Sequence, residues 1–219
     1  LTIQATLDFV AMHIEIQVEE PSAEKALSCL LPKLIGDLAN FTVVNYRNKQ
    51  RMLRKLPDRL KAYARRMNKE NIYVVVLIDR DRDDCLHLKA RLEDMARNAG
   101  LTTKSSALEA ERFTVVNRIA VEELEAWFFG DQEALRQAYP KLPDTFSKKR
   151  PYRHPDAIKG GTWETLERLL QRHGYYPQGY PKIEGARSIA EHMEPDRNSS
   201  PSFQAFKYGL EALMKQTES

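Results

Sequence analysis

The feature that most restricts this chain is Ile72-Tyr73-Val74-Val75-Val76-Leu77-Ile78, seven apolar residues in succession, five of them β-branched. The run is far shorter than the ~20 residues a membrane-spanning helix needs. It also lacks the alternation of a strand with one wet face, so both of its faces need cover. That is the pattern of a strand buried inside a parallel sheet, between two layers of helices. Asp79-Arg80-Asp81 follows at once, so the chain passes from its most apolar stretch to an acidic loop within one residue.

The rest of the pattern supplies the partners such a strand requires. His13 to Val18 alternates and reads as a strand. A helix capped by Ser22 is expected to about Ile35, with Ala26, Leu27, Leu30, Leu31 and Leu34 inward and Gly36 as its stop. Phe41 to Val44 reads as a second short strand. A basic helix follows, with Leu53, Leu56, Leu60, Tyr63 and Met67 on one stripe. Pro57 is expected to start or kink its main part. After the buried strand comes a loop over Asp79–Asp84, then a helix to about Ala99 with Cys85, Leu88, Leu92, Met95 and Ala99 inward. A fourth strand is expected to open at Phe113 and end near Ile119, and Val121 to Phe129 looks helical. Strand alternating with helix four times predicts an α/β fold with a mostly parallel four-stranded sheet flanked by helices. Beyond residue 131 only helices are expected, near 131–139, 162–173, 182–192 and 202–215. Residues 140–161 read as a Pro- and Lys/Arg-rich loop. The expected organisation is an α/β domain over residues 12–131 with a helical C-terminal lobe over 132–219 packed on it, one compact domain being the alternative.

Composition limits the function classes. The chain has 219 residues, 42% hydrophobic and 30% charged, enough for a packed core. The N-terminus has no basic region of the secretory kind. Met12 reads equally well as a natural start or as an internal residue. Cys29 and Cys85 lack metal-ligand spacing and are expected to be buried free thiols, which suits a reducing cytoplasm. Net charge is only +3, but its distribution is uneven. Residues 47–69 hold ten Lys or Arg and one acid, and residues 141–153 hold five and one. Residues 122–133 reverse the sign, with five acids and no base. Basic surfaces beside an acidic pocket suit an enzyme that grips a polyanion; a merely solvated basic helix is the plainer alternative.

In an open parallel sheet, ligands bind outside the carboxyl ends of the strands. Three acidic groups belong there: Glu19 and Glu20 after the first strand, Asp79, Asp81, Asp83 and Asp84 after the third, and Glu122, Glu123 and Glu125 after the fourth. Mg²⁺ and Mn²⁺ take hard oxygen donors, and a DxD pair in a tight loop can approach one ion. Asp79 and Asp81 are therefore expected to bind metal. Glu19-Glu20 also suits the following helix dipole, Asp83 and Asp84 suit a helix N-terminus, and Glu123 and Glu125 suit a solvated helix face. Arg80 and Arg82 are placed to neutralise this loop or to meet phosphate. Gly160-Gly161-Thr162 reads as a turn with Thr162 as N-cap. No GxSxG, GxxxxGK[ST] or GxGxxG occurs, and the five histidines show no zinc spacing.

Val18-Glu19-Glu20-Pro21-Ser22-Ala23-Glu24 followed by Leu77-Ile78-Asp79-Arg80-Asp81 resembles the Toprim domain of topoisomerases, primases and overcoming-lysogenization-defect nucleases. Glu19 matches that family's glutamate and Asp79 and Asp81 its acidic pair, whereas Glu20 stands where Gly is usual. Glu123-Leu124-Glu125-Ala126-Trp127, with Lys182 and Ser202-Phe203, is similar to a Toprim-like family of unknown function, the domain of unknown function 4276 type. Glu24 is the nearest match to a second nuclease glutamate, one position off the commonest spacing.

The resemblance implies a metal-dependent nuclease, with Glu19, Asp79 and Asp81 catalytic and Glu123, Glu125 and Glu24 as further ligands for Mg²⁺ or Mn²⁺. Such proteins accompany ATPases in phage defence, so an ATPase partner is implied. DNA or RNA is expected along Arg51, Arg54, Lys55, Lys148, Lys149 and Arg150. Alternatives are a non-catalytic nucleic-acid-binding or scaffold subunit, and a small-molecule phosphotransferase or phosphohydrolase. A homo-oligomer is compatible with the sequence, membrane insertion is not expected, and a cytoplasmic location is.

Overall fold

The computed structural model describes residues 11–67, 70–109, 111–146 and 152–216. Strands β1 (His13–Val18), β2 (Asn40–Asn45), β3 (Ile72–Asp79) and β4 (Val115–Ala120) form one sheet. All three pairings are parallel and the order is β2-β1-β3-β4. The apolar run is buried at every position from Ile72 to Ile78, with only Asp79 reaching solvent. Each such Val, Leu or Ile side chain contributes roughly 1.5–3 kcal/mol by leaving water, which is why this run takes an interior place.

The crossovers set the layers. The chain steps from β1 outward to β2, then reverses past β1 to β3 and continues to β4. Right-handed crossovers running in opposite directions put their helices on opposite faces. Helix α1 (Pro21–Ile35) accordingly packs with Ile14, Ile16, Val18, Val75 and Leu77. Helices α2 (Lys49–Met67) and α3 (Cys85–Asn98) pack with Val74, Val76 and Ile78 on the other face.

The C-terminal part fills the α1 face beside β4. It comprises α4 (Glu125–Gly130), α5 (Gln132–Ala138), a 3-10 turn (Pro155–Ala157), α6 (Thr162–Arg172), α7 (Lys182–Ala190) and α8 (Pro201–Lys215). Helix α7 packs along α1, and α8 lies against β4 and α1. Trp127, Phe128, Phe203 and Phe206 join the same apolar cluster as α1 and the sheet, so these helices share the core of the α/β layers. Asp131, fully buried, ties the segment together: it caps α5 through the Ala134 amide and accepts from Glu194 N and from both Nε and Nη2 of Arg197.

Several boundaries differ from expectation. Helix α1 starts at Pro21 behind Glu20, so Ser22 is inside it. Helix α2 starts at Lys49 and runs through Pro57. Its buried stripe is Met52, Leu56, Leu60 and Tyr63. Helix α3 turns Leu88, Leu92 and Ala96 inward. Strand β4 opens only at Val115, which also bonds to Thr102 and Lys104 on its outer side. Residues 121–124 form a loop ahead of the short α4. Thr162 is the first helical residue of α6, and Gly161 is the cap. Both cysteines are free as expected but only half-buried.

The alternation of β1 reflects something other than a wet face. Gln17 is fully buried, yet its amide accepts from Tyr46 and donates to Tyr63, whose hydroxyl donates to Glu15. A polar row thus lies under α2, tolerated because its groups bond to one another.

Candidate functional site

The reversal of chain direction between β1 and β3 makes the crevice beyond their carboxyl ends the topological switch point, where open α/β sheets bind ligands. Glu19 and Asp79 flank it. The Glu19 carboxylate, 5% exposed, accepts the Asp79 backbone N–H at 2.9 Å. The loops around it carry unusual backbone. Arg47 after β2, Asp81 after β3 and Glu122 after β4 all have left-handed φ, at 71°, 51° and 63°. Non-glycine residues adopt this conformation at a cost that the surroundings must offset, and such positions gather at functional sites. Here Asp81 N–H donates to Glu122 O at 2.8 Å, and Arg80 pairs with the Glu122 carboxylate, so the β3 and β4 loops hold each other.

Electrostatics unite carboxylates from three strand ends. Burial raises the Glu19 carboxyl to about 7; the Asp79 amide and Lys49 oppose the rise, while Asp81 and Glu20 add to it. Asp79 is raised well above the ordinary range, by burial first and then by the charges of Glu19, Glu125 and Asp81. Burial likewise lifts Glu125, 3% exposed, to about 7, with Lys182 opposing. Asp79 thus lies in the field of Glu19, Glu125 and Asp81, and Glu19 in that of Asp81. Glu19 and Glu125, buried near Asp79, are stable as anions only with added positive charge.

The other predicted residues have separate roles. Glu123 Oε2 accepts three hydrogen bonds at the start of α6: Thr162 N at 2.9 Å, Thr162 Oγ1 at 2.8 Å and Trp163 N at 2.9 Å. The first two amides of α6 are thereby occupied by a carboxylate of the protein itself. Glu24 receives a hydrogen bond from the Asn45 amide at the end of β2. Asp84 caps α3 by accepting His87 N–H, and Asp83 pairs with Lys49 at 3.0 Å. Arg51, Arg54 and Lys55 are exposed on α2, whereas Lys148, Lys149 and Arg150 lie outside the described residues.

Lys49 and Glu164 were not anticipated as participants, and Glu122 and Lys182, though named above, take roles not foreseen there. Lys49 Nζ lies 2.6 Å from Asp81 Oδ2. Glu122 holds Arg80, and Glu164 folds against Gly161, where a Cβ would collide with its Oε2. Lys182 lies over the Trp163 ring at 4.5 Å. Lysine at the start of a basic helix was the one usable signal, since helix N-termini disfavour cations. A cleft of about 640 Å³ is lined by Lys49, Asp81, Asp83, Glu122, Gly161 and Glu164.

Carboxylate oxygens are the donors a hard divalent cation takes, so the chemistry of this set fits one. The arrangement is incomplete: among the described residues, no three His, Cys, Asp or Glu groups are gathered around one ion position. Asp81 is engaged by Lys49 instead. No helix among the described residues is long and apolar enough to cross a membrane.

The family model described as "Domain of unknown function (DUF4276)" matches residues 18–211. No curated protein and no solved structure matches the chain.

Proposed function

The chain belongs to the family described as a domain of unknown function, DUF4276, and from that premise we propose that it is a divalent-metal-dependent phosphodiester hydrolase of the Toprim type, acting on DNA or RNA. One observation carries the reading. Glu19 and Asp79 meet at the switch point, the Glu19 carboxylate accepting the Asp79 N–H at 2.9 Å, and Asp79 lies in the field of Asp81 and Glu125 from the neighbouring loops. The basic helix α2 begins at the same crevice, with Lys49 inside it and Arg51, Arg54 and Lys55 on its exposed side. An acidic centre joined to a cationic track is what a polyanion-cleaving enzyme requires. A glutamate after β1 and Asp-x-Asp after β3 are also the elements of the Toprim resemblance.

Glu19, Asp79, Asp81 and Glu125 would hold Mg²⁺ or Mn²⁺, which supplies an activated water and charge neutralisation at phosphorus. The protein's own groups do the rest. The Asp79 amide orients the Glu19 carboxylate. The Arg80–Glu122 pair and the Asp81–Glu122 backbone bond keep the two loops in register. The exposed cations of α2 position the nucleic-acid backbone.

The test is cleavage of single- and double-stranded DNA and RNA with Mg²⁺, Mn²⁺ or chelator, comparing wild type with Asp79→Ala. The expected result is metal-dependent cleavage that Asp79→Ala abolishes while leaving the circular dichroism spectrum unchanged. Undiminished cleavage by the folded variant would sink the assignment. The Lys49–Asp81 pair favours a second reading, a nucleic-acid-binding or scaffold subunit of an ATPase-containing defence complex whose acidic site does no chemistry. That reading expects salt-sensitive polyanion binding and no cleavage with either metal.

A further inference from the structure

Lys49 is the first residue of α2, where the helix end already carries partial positive charge and the first turn contains no acid. A cation there is unfavourable unless its charge is used elsewhere. Its ammonium reaches the loop after β3 and spends all three donors there: on Asp81 Oδ2 at 2.6 Å, Asp83 Oδ2 at 3.0 Å and the Arg80 carbonyl at 3.2 Å. The Lys49 side chain is only 16% exposed, so these bonds replace most of its hydration. The recipient loop is equally constrained. Asp81 has left-handed backbone, and its N–H is fixed to Glu122 O. Asp81 is thus held on an ammonium while Glu19 and Asp79 lie joined on the neighbouring strand ends.

Resting on the metal-site reading above, we infer that Lys49 is a resident counter-cation that competes with a divalent ion for the Asp81 carboxylate. This accounts for the incomplete ligand set: the missing carboxylate is present but engaged. It also gives the site an order of assembly. A substrate phosphate offers charged oxygen acceptors to the Lys49 ammonium, and a phosphate that draws the ammonium away releases Asp81. Polyanion binding and metal loading then favour each other, and by linkage each does so by the same factor.

The experiment measures Mn²⁺ affinity calorimetrically on the full chain without nucleic acid. Lys49→Met is expected to bind Mn²⁺ about ten- to a hundredfold more tightly than wild type, the range set by losing charge-assisted hydrogen bonds to one carboxylate. Lys49→Gln, which keeps a donor but no charge, is expected to fall between them and serves if the methionine variant does not fold. Adding Asp81→Asn to Lys49→Met should return the affinity to that of wild type, because the gain runs through Asp81. Lys25→Met removes an exposed cation from α1 and should change the affinity by less than about twofold. Asp79-dependent Mn²⁺ binding that Lys49→Met leaves unchanged overturns this inference and spares the metal-site reading. A gain matched by Lys25→Met, or one that survives Asp81→Asn, overturns it also. Absence of Mn²⁺ binding in every variant overturns the metal-site reading, and this inference with it.

Discussion

Glu123→Ala separates two roles for one carboxylate. As a metal ligand, Glu123 would matter little to the metal-free fold. As the structure has it, one oxygen serves two backbone amides and a hydroxyl at the start of α6, where Thr162 is fully buried. A hydrogen bond to a charged group is worth about 1.5–3 kcal/mol, and an anion at a helix N-terminus adds up to about 1 kcal/mol. Three bonds on one oxygen do not add independently. Glu123→Ala is therefore expected to cost about 3 kcal/mol by leaving buried donors unpaired, and Glu123→Gln about 1 kcal/mol by keeping an acceptor without its charge. For a chain of this size each kcal/mol lowers the melting temperature by roughly 2–4 °C, so the expected shifts are about 6–12 °C and 2–4 °C. Thermal unfolding followed by circular dichroism in chelator measures both. The reasoning fails if Glu123→Ala melts within about 2 °C of wild type in chelator and yet loses Mn²⁺ binding.

Other perturbations follow from the same contacts. Glu125 rises from an ordinary 4.5 to about 7 in the folded protein. Between those values the native state holds the proton and the unfolded state does not, so this group's contribution falls as pH rises and is least favourable above 7. Metal-free Glu125→Gln should accordingly lose less stability than wild type between pH 5 and pH 8, by at most ~3 kcal/mol. Parallel pH–melting curves for the two proteins would count against the buried ionisation. Asp131→Ala removes the fully buried partner of Arg197 together with the α5 cap. With Arg197 40% exposed, the loss comes mainly from the α5 cap and the unpaired Ala134 and Glu194 amides, about 1.5–3 kcal/mol, readable as a lower urea midpoint at unchanged slope, and a loss under ~1 kcal/mol would show that the clip is not structural.

The buried strand was legible from seven residues, because a continuous apolar run, mostly β-branched, suits a strand covered on both faces. The repeated strand–helix pattern likewise implied the parallel layers. The local position of Asp79 and Asp81 after that run could be read directly, since it depends only on neighbours in the chain. Glu19 needed a family likeness, because two carboxylates after a short alternating strand suit a helix dipole equally well. The full extent of α2 was obscured by Pro57, whose local penalty is outweighed by the burial of Leu56, Leu60 and Tyr63.

What the sequence by itself determined is the set of elements and the acidic loop after β3, since period, branching and turn residues act over a few positions. The tertiary structure decided who meets whom. The order β2-β1-β3-β4 makes Glu19 and Asp79 neighbours across 60 residues. Packing of the C-terminal helices buries Glu125 and delivers Thr162 to Glu123. Lys49 reaches Asp81 only because α2 begins at the same sheet edge on which the β3 loop ends. Strand order and crossover direction set such pairings through the burial of whole faces, a long-range free energy that no short window of residues contains.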